Sequence, residues 1–197
     1  MKRQSEAIIP MPQGSFNLIA YADDISVQMP HIALVAEGLD VSKPVTIRIH
    51  SECLTGDLFG SKRCDCGEQL TKSLEIISED NGVLLYLRQE GRGIGLINKL
   101  RAYQLQDTGL NTLDANTHLG LNVDDRHYDI AIMMLQDLKI TKINLLTNNP
   151  EKIAAFNNGD IQVVKRLPLL TTPLPENEKY LTTKQDLLGH LLDESNS

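Results

Sequence analysis

The sequence contains no tryptophan, and aromatic residues make up only 4% of its 197 positions. The hydrophobic core must therefore be built mainly from aliphatic side chains. No segment approaches the run of roughly 20 apolar residues that a membrane-spanning helix requires. Residues 1–20 also lack the apolar stretch of a signal peptide. These absences predict a cytoplasmic protein with no membrane partner.

An excess of positive charge is also missing, since the formal net charge is −7. Domains that bind nucleic acid usually present a basic face, so we expect no nucleic-acid partner. A small anionic ligand would need a local cluster of basic side chains instead. The hydrophobic fraction of 41% is ordinary for a globular protein, and a chain of this length can bury a core without disulfides.

Cysteine is scarce, and its three copies lie close together at Cys53, Cys64 and Cys66. An odd number of thiols in a reducing compartment favours a metal site over disulfides. Three thiolates suit zinc and leave its fourth tetrahedral position to water, as in catalytic sites. The alternative is a structural zinc site that is closed by His50 or by another histidine. The spacing alone does not decide between them.

Alternating strand and helix patterns predict an α/β fold, with a mixed β-sheet flanked by helices and antiparallel N-terminal strands. We expect one domain over residues 1–192 and a disordered tail at 193–197. In the strand that ends at His50, Val45, Ile47 and Ile49 should share one face. The predicted strands span 16–21, 32–36, 46–50, 83–87, 143–147 and 162–164. The predicted helices span about 67–82, 94–107, 127–138 and 181–192, and one more begins after Asn149.

Three connecting segments could carry chemistry. Segment 88–95 is rich in glycine and contains two arginines, so it could hold an anion at a helix start, or be an ordinary turn. Segment 147–152 could bind a phosphate at the end of a strand, or merely cap a helix. Segment 124–129 places carboxylates beside Arg126, and simple helix capping also explains it.

Taken together, the segments resemble GTP cyclohydrolase II, the zinc enzyme that opens riboflavin biosynthesis. The matching strings occur in the family order and cover nearly the whole chain. They are RIHSECLTGD from Arg48, RCDCG from Arg63, RQEGR from Arg88, IGLINKLRAY from Ile94, LQD from Leu105, DAN from Asp114, LLTNNP from Leu145, YLTTK from Tyr180 and the pair Gly189-His190. Since the family domain is often fused to a dihydroxybutanone phosphate synthase, the length of this chain leads us to expect a stand-alone cyclohydrolase.

The resemblance implies that GTP and water are converted to formate, pyrophosphate and 2,5-diamino-6-ribosylamino-4(3H)-pyrimidinone 5′-phosphate. It makes the three cysteines the ligands of one zinc per subunit and places Tyr103 beside C8 of guanine. It makes Arg126 a nucleophile on the α-phosphate and Asp124 its general base. Because a guanidinium has no free lone pair until it is deprotonated, the conservative interpretation is that Arg126 stabilises phosphoryl charge.

The resemblance also implies a set of residues that bind GTP, a requirement for Mg²⁺ and a homodimer. Mg²⁺ would neutralise the charge of the pyrophosphate leaving group. Two rival hypotheses remain: a zinc module that senses nucleotide without turnover, and an enzyme that opens the guanine ring but leaves the triphosphate intact. The implied GTP-binding residues are Arg48, Ile49, His50, Ser51, Glu52, Gln69, Glu90, Gly91, Arg92, Thr112, Thr147 and Lys152.

Overall fold

A computed structural model describes residues 1–122, 124–177, 182, 189 and 191, apart from the side chains of residues 112 and 113. Seven strands of this part form one mixed sheet in the order β1-β2-β3-β5-β4-β6-β7. The strands are β1 (Lys2–Met11), β2 (Gly14–Ala22), β3 (His31–Ala36), β4 (Val45–Ser51), β5 (Val83–Leu87), β6 (Lys142–Leu146) and β7 (Gln162–Leu167).

Helices connect and cover these strands. They are α1 (Leu54–Asp57), α2 (Cys66–Glu79), α3 (Gly95–Asp107), α4 (Thr112–His118), α5 (Asp129–Asp137) and α6 (Pro150–Ala154), with a short 3₁₀ turn at Glu90–Gly93 between β5 and α3. Strands β1, β2, β3 and β5 pair antiparallel, whereas β5, β4, β6 and β7 pair parallel. The predicted mixed α/β sheet with antiparallel N-terminal strands is therefore confirmed. No described helix is long and apolar enough to cross a membrane.

Strand β4 lies between β5 and β6 and is buried on both faces. One hydrophobic core lies on the side of α5 and another on the side of α2. The apolar residues of β4, Val45, Ile47 and Ile49, all belong to the first core, because alternate side chains of a strand share one face. The α5 side includes Ile47, Ile49, Leu85, Met134 and Leu135. The α2 side includes Phe16, Leu34, Leu74, Ile77 and Leu84.

The opposite face of β4, which carries Thr46, Arg48 and His50, is buried as well, and each of these side chains has a hydrogen-bond partner. Thr46 donates to Asp80 at 2.8 Å. Arg48 donates to Gln69 on α2 and to the carbonyl oxygen of Leu146. Burying polar groups is tolerated because these hydrogen bonds replace those with water.

Strand β1 and the short helices α1 and α4 were missed by the sequence patterns. Strand β1 is largely exposed, contains Pro10 and pairs with β2 at the edge of the sheet. It has no buried face, so it leaves no hydrophobic alternation to detect. Helix α4 begins after Asn111, whose side chain caps the amide of Asp114. The predicted helix at 181–192 and the tail at 193–197 fall outside the described residues, which include 182, 189 and 191 alone from those stretches.

The predicted end of α2 is also corrected. The helix stops at Glu79, and Asn81 rather than glycine adopts the left-handed conformation, with φ at +51°. Gly82 has another reason to be glycine, because its backbone packs against that of Thr46 on the neighbouring strand. A Cβ atom at Gly82 would lie 2.3 Å from the carbonyl oxygen of Thr46.

Replacing Gly82 by alanine should therefore destabilise the sheet. The strand must shift to admit the methyl group, and we expect the free energy of unfolding to fall by about 1–3 kcal/mol. Gly159→Ala is the matched control, since the nearest atom to its Cβ would be 4.0 Å away, and it should change that free energy by less than about 0.5 kcal/mol. Urea unfolding measures both, and equal losses would contradict this account of Gly82.

Candidate active site

A cleft of about 1040 Å³, including its open mouth, lies at one edge of the sheet. Strands β4, β5 and β6 run parallel, so their carboxyl ends meet at this edge. Ligands of open α/β sheets usually bind there. The segments that follow the three strands, beginning at Glu52, Arg88 and Thr147, all reach the cleft.

The three cysteines converge on one wall of this cleft. Their sulfur atoms all lie within 4.8 Å of one another, and Cys53 Sγ is 3.7 Å from Cys64 Sγ. Cys53 follows β4, and Cys66 is the first residue of α2. The convergence fits the prediction of a metal site, and thiolates are ligands that zinc prefers.

Glycines make this convergence possible. A Cβ atom at Gly56 would lie 2.9 Å from Cys64 Sγ and 3.2 Å from Cys53 Sγ, so the space beside the sulfurs depends on its absence. At Gly67, a Cβ atom would lie 2.4 Å from the carbonyl oxygen of Gly56. The turn of α1 and the start of α2 therefore pack backbone against backbone, which fits a compact metal site.

No histidine joins the sulfur cluster in the described part of the chain. His50 does not belong to the group of converging ligand atoms, and neither do His31, His118 and His127. His190 lies outside the described residues. Among the described residues, the group that could hold a metal ion therefore consists of the three cysteines.

Charge around the cluster favours thiolate at Cys53. Hydrogen bonds from Cys64 and Cys66, together with the nearby ammonium of Lys99, outweigh burial and lower the pKa of Cys53. The same coupling raises the pKa of Cys64. A thiolate is the form that binds metal, so these contacts favour metal binding at Cys53.

A buried carboxylate orders the loop that begins at Cys53. Asp57 accepts hydrogen bonds from the amide of Cys53 at 2.9 Å and from the hydroxyl of Tyr86 at 2.8 Å. Both of its oxygens lie 3.0 Å from Nε2 of His50. Since the carboxylate accepts, Nε2 must carry the proton.

His50 is consequently a neutral acceptor at its other nitrogen. Burial, the largest influence, lowers its pKa, although the hydrogen bond to Asp57 opposes this. Nδ1 is buried and has no hydrogen-bond partner within the described structure. His50 lines the cleft, but its Nδ1 atom has almost no accessible surface.

Lys99, on α3, lies next to the cysteines. Its Nζ atom is 3.0 Å from Cys53 Sγ, 3.0 Å from Thr55 Oγ1 and 2.8 Å from Glu90 Oε1. Burial disfavours the charge of Lys99, but the hydrogen bond to Glu90 and the charge of Cys53 outweigh it and raise its pKa. Glu90 also accepts from the amide of Leu54 at 2.6 Å.

Arg126 and Asp124 form an ion pair at the cleft. Arg126 Nε lies 2.8 Å and 3.1 Å from the two carboxylate oxygens of Asp124, and its terminal nitrogen also contacts the carboxylate. Burial would raise the pKa of Asp124, but Arg126 outweighs it and lowers that pKa. The pair is partly buried, so the guanidinium is held in one orientation rather than free in solvent. Its position depends on the 88–95 segment, since the amide of Asp125 donates to the carbonyl oxygen of Arg92 at 2.9 Å.

Tyr103 lies one helical turn after Lys99 on α3, and two cations flank its ring. The guanidinium carbon of Arg63 is 4.5 Å from the ring centroid, and Lys99 Nζ is 5.8 Å from it. Cation–π contacts of this kind hold a ring in place. Tyr103 lines the cleft.

Most of the residues implied by the resemblance line this cleft. Ile49 does not, because its side chain lies in the core and its carbonyl oxygen accepts from Lys152 Nζ at 2.7 Å. Asp124 reaches the cleft through Arg126. The side chain of Thr112 lies outside the described residues. The lining includes Arg48, His50, Ser51, Glu52, Cys53, Cys64, Cys66, Gln69, Glu90, Gly91, Arg92, Tyr103, Arg126, Thr147 and Lys152.

The contacts of Arg88 and Asn149 bear on two alternatives that the sequence left open: anion binding or an ordinary turn at 88–95, and phosphate binding or helix capping at 147–152. Arg88 pairs with Glu52 at 2.7 Å and does not line the cleft, so one of the two arginines of segment 88–95 is a structural partner. Asn149 caps α6, with its side chain accepting from the amide of Glu151. Helix capping at 147–152 is confirmed, although Thr147 and Lys152 also line the cleft.

Asp57 and Lys99 were missed by the sequence reasoning. Asp57 carries no spacing signal, since its partners come from three separate segments. Lys99 has a weak one, because it is four residues before Tyr103 and therefore shares its helix face. This spacing places Lys99 on the cleft side of α3, where a lysine needs an acidic partner such as Glu90 if it is buried.

The chain matches the family described as GTP cyclohydrolase II over residues 2–168. Two proteins named riboflavin biosynthesis protein RibBA, from Bacillus cereus (strain G9842) and Bacillus mycoides (strain KBAB4), are each 50% identical to it over 192 residues. The alignments cover 97% of this chain and 48% of each relative, so the chain spans about half the length of the curated relatives it matches.

A more distant likeness is to a crystal structure of RibBX, described as a two-domain 3,4-dihydroxy-2-butanone 4-phosphate synthase from A. baumannii. It has a TM-score of 0.45 and 20% identity, and covers 82% of this chain and 39% of that one. This likeness is too remote to bear on function. The family match extends over most of the chain, from β1 to the end of β7, and it includes every segment that lines the cleft. The chain therefore belongs to the GTP cyclohydrolase II family.

Proposed function

We propose that this chain is a zinc-dependent GTP cyclohydrolase II. It converts GTP to 2,5-diamino-6-ribosylamino-4(3H)-pyrimidinone 5′-phosphate, formate and pyrophosphate, the first committed step of riboflavin biosynthesis. The observation that carries the proposal is one cleft that contains both a three-cysteine cluster and the Arg126–Asp124 pair. Ring opening and phosphate cleavage need different chemistry, and each of these two groups suits one of them.

The thiol cluster serves the ring-opening half. Cys53, Cys64 and Cys66 would hold one zinc ion per subunit, which supplies Lewis-acid activation of water for attack at C8 of guanine. The hydroxyl of Tyr103 orients the reacting ring or moves a proton there, on a side chain fixed by flanking cations. His50 lines the cleft and is proposed to contact the substrate there.

Arg126 serves the phosphate half. The lowered pKa of Asp124 means that this carboxylate holds a proton weakly, so removing one from a guanidinium is unfavourable. The geometry therefore supports Arg126 as a charged group that stabilises the phosphoryl transition state. Asp124 aims the guanidinium. A covalent role for Arg126 requires the pair to separate first.

Magnesium is proposed to arrive with the triphosphate as part of the substrate. In the part of the chain that the structure describes, the group of converging ligands is the three thiols, and soft sulfur ligands do not suit Mg²⁺. Arg92 and Lys152 line the cleft as cationic partners for the phosphates, whereas the buried Arg48 supports the wall through Gln69. The homodimer, the cytoplasmic location and the extent of the domain over 1–192 remain predictions.

The direct test of this function is to incubate zinc-loaded protein with GTP and magnesium and to measure formate and pyrophosphate separately. We expect both products. Cys53→Ser should abolish formate release, because a ligand of the zinc that activates water is lost. Formate without pyrophosphate would show an enzyme that opens the ring alone. Nucleotide binding without either product would show a sensor.

Arg126→Ala should stop pyrophosphate release whether the residue acts by charge or as a nucleophile. Arg3→Ala is a matched control, since Arg3 also pairs with an aspartate, Asp137, but lies outside the cleft. It should leave both products unchanged. A covalent role alone predicts a guanylyl adduct on Arg126 that mass spectrometry can detect. Normal pyrophosphate release by Arg126→Ala would remove this residue from the mechanism.

Tyr103→Phe should separate the two halves of the reaction. The ring and its cation–π contacts remain, so folding and zinc content should change little. Formate release should fall by roughly 10²–10⁴-fold, as is typical when a proton-transfer group is lost. Pyrophosphate release should fall much less, and GMP should accumulate. Tyr21→Phe, whose hydroxyl contacts Asp137, serves as the control. A parallel loss of both products would contradict this division of roles.

A further inference from the structure

The ammonium group of Lys99 is saturated by protein acceptors. An ammonium has three protons to donate, and three acceptors lie at 2.8–3.0 Å: Cys53 Sγ, Thr55 Oγ1 and Glu90 Oε1. The side chain is nearly buried, with about 10% of it exposed. Lys99 therefore has no proton left for a substrate, although it borders the cleft.

Burying an ammonium is costly unless a paired charge and hydrogen bonds compensate for it. Glu90 supplies the paired charge, and it is itself anchored by the amides of Leu54 and Gly91. This arrangement fixes Nζ against the sulfur of a metal ligand. Lys99 thus borders the cleft and donates a hydrogen bond to the sulfur of Cys53.

We propose that Lys99 is a positioning residue of the metal site, which donates a hydrogen bond to the Cys53 thiolate and offsets the negative charge of the three-sulfur ligand set. The inference rests on the proposed zinc-dependent function. Three thiolates carry more negative charge than a divalent cation neutralises, so a site of this composition retains net negative charge. A cation bonded to one sulfur lowers the energy of the loaded site and fixes the ligand rotamer, as partners beyond the direct metal ligands commonly do.

The competing explanation is that Lys99 only joins α3 to the 90–93 turn through Glu90. In that case its loss would lower the free energy of unfolding but leave zinc affinity relative to folded protein unchanged. The two explanations therefore differ in a property of the metal site that can be measured without turnover.

The experiment is a zinc competition titration against a chromophoric chelator. Lys99→Met keeps most of the aliphatic volume and removes the charge and the donor. We expect its zinc dissociation constant to rise by about 10–100-fold, the usual effect of losing such a partner. Arg101→Met is the matched control, since Arg101 is an exposed cation of the same helix that bonds to Asn98. It should bind zinc as the wild type does.

Cobalt substitution supplies a second measurement, the thiolate-to-cobalt charge-transfer band. A purely structural role of Lys99 would leave this band unchanged. Without the N–H···S bond, the Cys53 lone pairs are less stabilised, so the thiolate-to-cobalt charge-transfer band of Lys99→Met should shift to longer wavelength. Lys99→Arg, which keeps a donor cation, should shift the band less. An unchanged band together with unchanged zinc affinity in Lys99→Met would overturn the proposal. An equal loss of affinity in Arg101→Met would also overturn it.

The unpaired Glu90 carboxylate could unfold Lys99→Met, and circular dichroism detects this. The double variant Glu90→Gln/Lys99→Met removes that buried charge and is then compared with Glu90→Gln, with the same 10–100-fold loss expected. Failure of this inference is distinguishable from failure of the proposed function. If the wild-type protein binds no zinc, both the proposed function and the role of Lys99 are contradicted. Wild-type protein that binds zinc no more tightly than the lysine variants would remove the role of Lys99 alone.

Discussion

The Asp57 carboxylate is the interaction on which the site depends. It accepts from the Cys53 amide at the end of β4, from His50 within β4, and from Tyr86 in β5. A carboxylate this deeply buried is favourable only when its oxygens are fully hydrogen-bonded. The same hydrogen bonds fix the start of the loop that carries Cys53 and the tautomer of His50. The thiol cluster is therefore anchored in the rigid centre of the sheet, although it lies on a connecting segment.

A second constraint is electrostatic, because a chain with net charge −7 gathers arginine and lysine side chains around one cleft. It does so by burying cations and tying each to a local acceptor. Arg48 has its pKa lowered to about 10 by burial and remains protonated near neutral pH, supported by Gln69 and the Leu146 carbonyl. Lys152 donates to the Ile49 carbonyl, and Arg126 is paired with Asp124. Fixed cations of this kind need not reorganise when a charged ligand arrives.

The sequence predicted what depends on periodicity and local chemistry. Buried strands such as β5 and β6, the α2 stripe and the Asn149 cap leave strong local patterns, and the structure confirms them. The edge strand β1 leaves none, because pairing with β2 rather than burial holds it in place. Among site residues, the cysteine cluster was predictable because three thiols are unusual in so short a stretch. Asp57 and Lys99 were not, since the partners of each come from different segments of the sequence.

The glycine-rich segment 88–95 shows how the two halves of the site are held together. Its sequence suggests a phosphate loop, yet its recorded contacts are mainly structural. Glu90 accepts from the amide of Leu54, the residue after Cys53, while the carbonyl oxygen of Arg92 accepts from the amide of Asp125 beside the ion pair. To make both contacts within so few residues, Gly91 and Arg92 each adopt φ of +62°. This conformation costs a non-glycine residue about 1–2 kcal/mol. Strain of this size persists only where surrounding contacts enforce it. We infer that the segment fixes the position of the thiol cluster relative to Arg126.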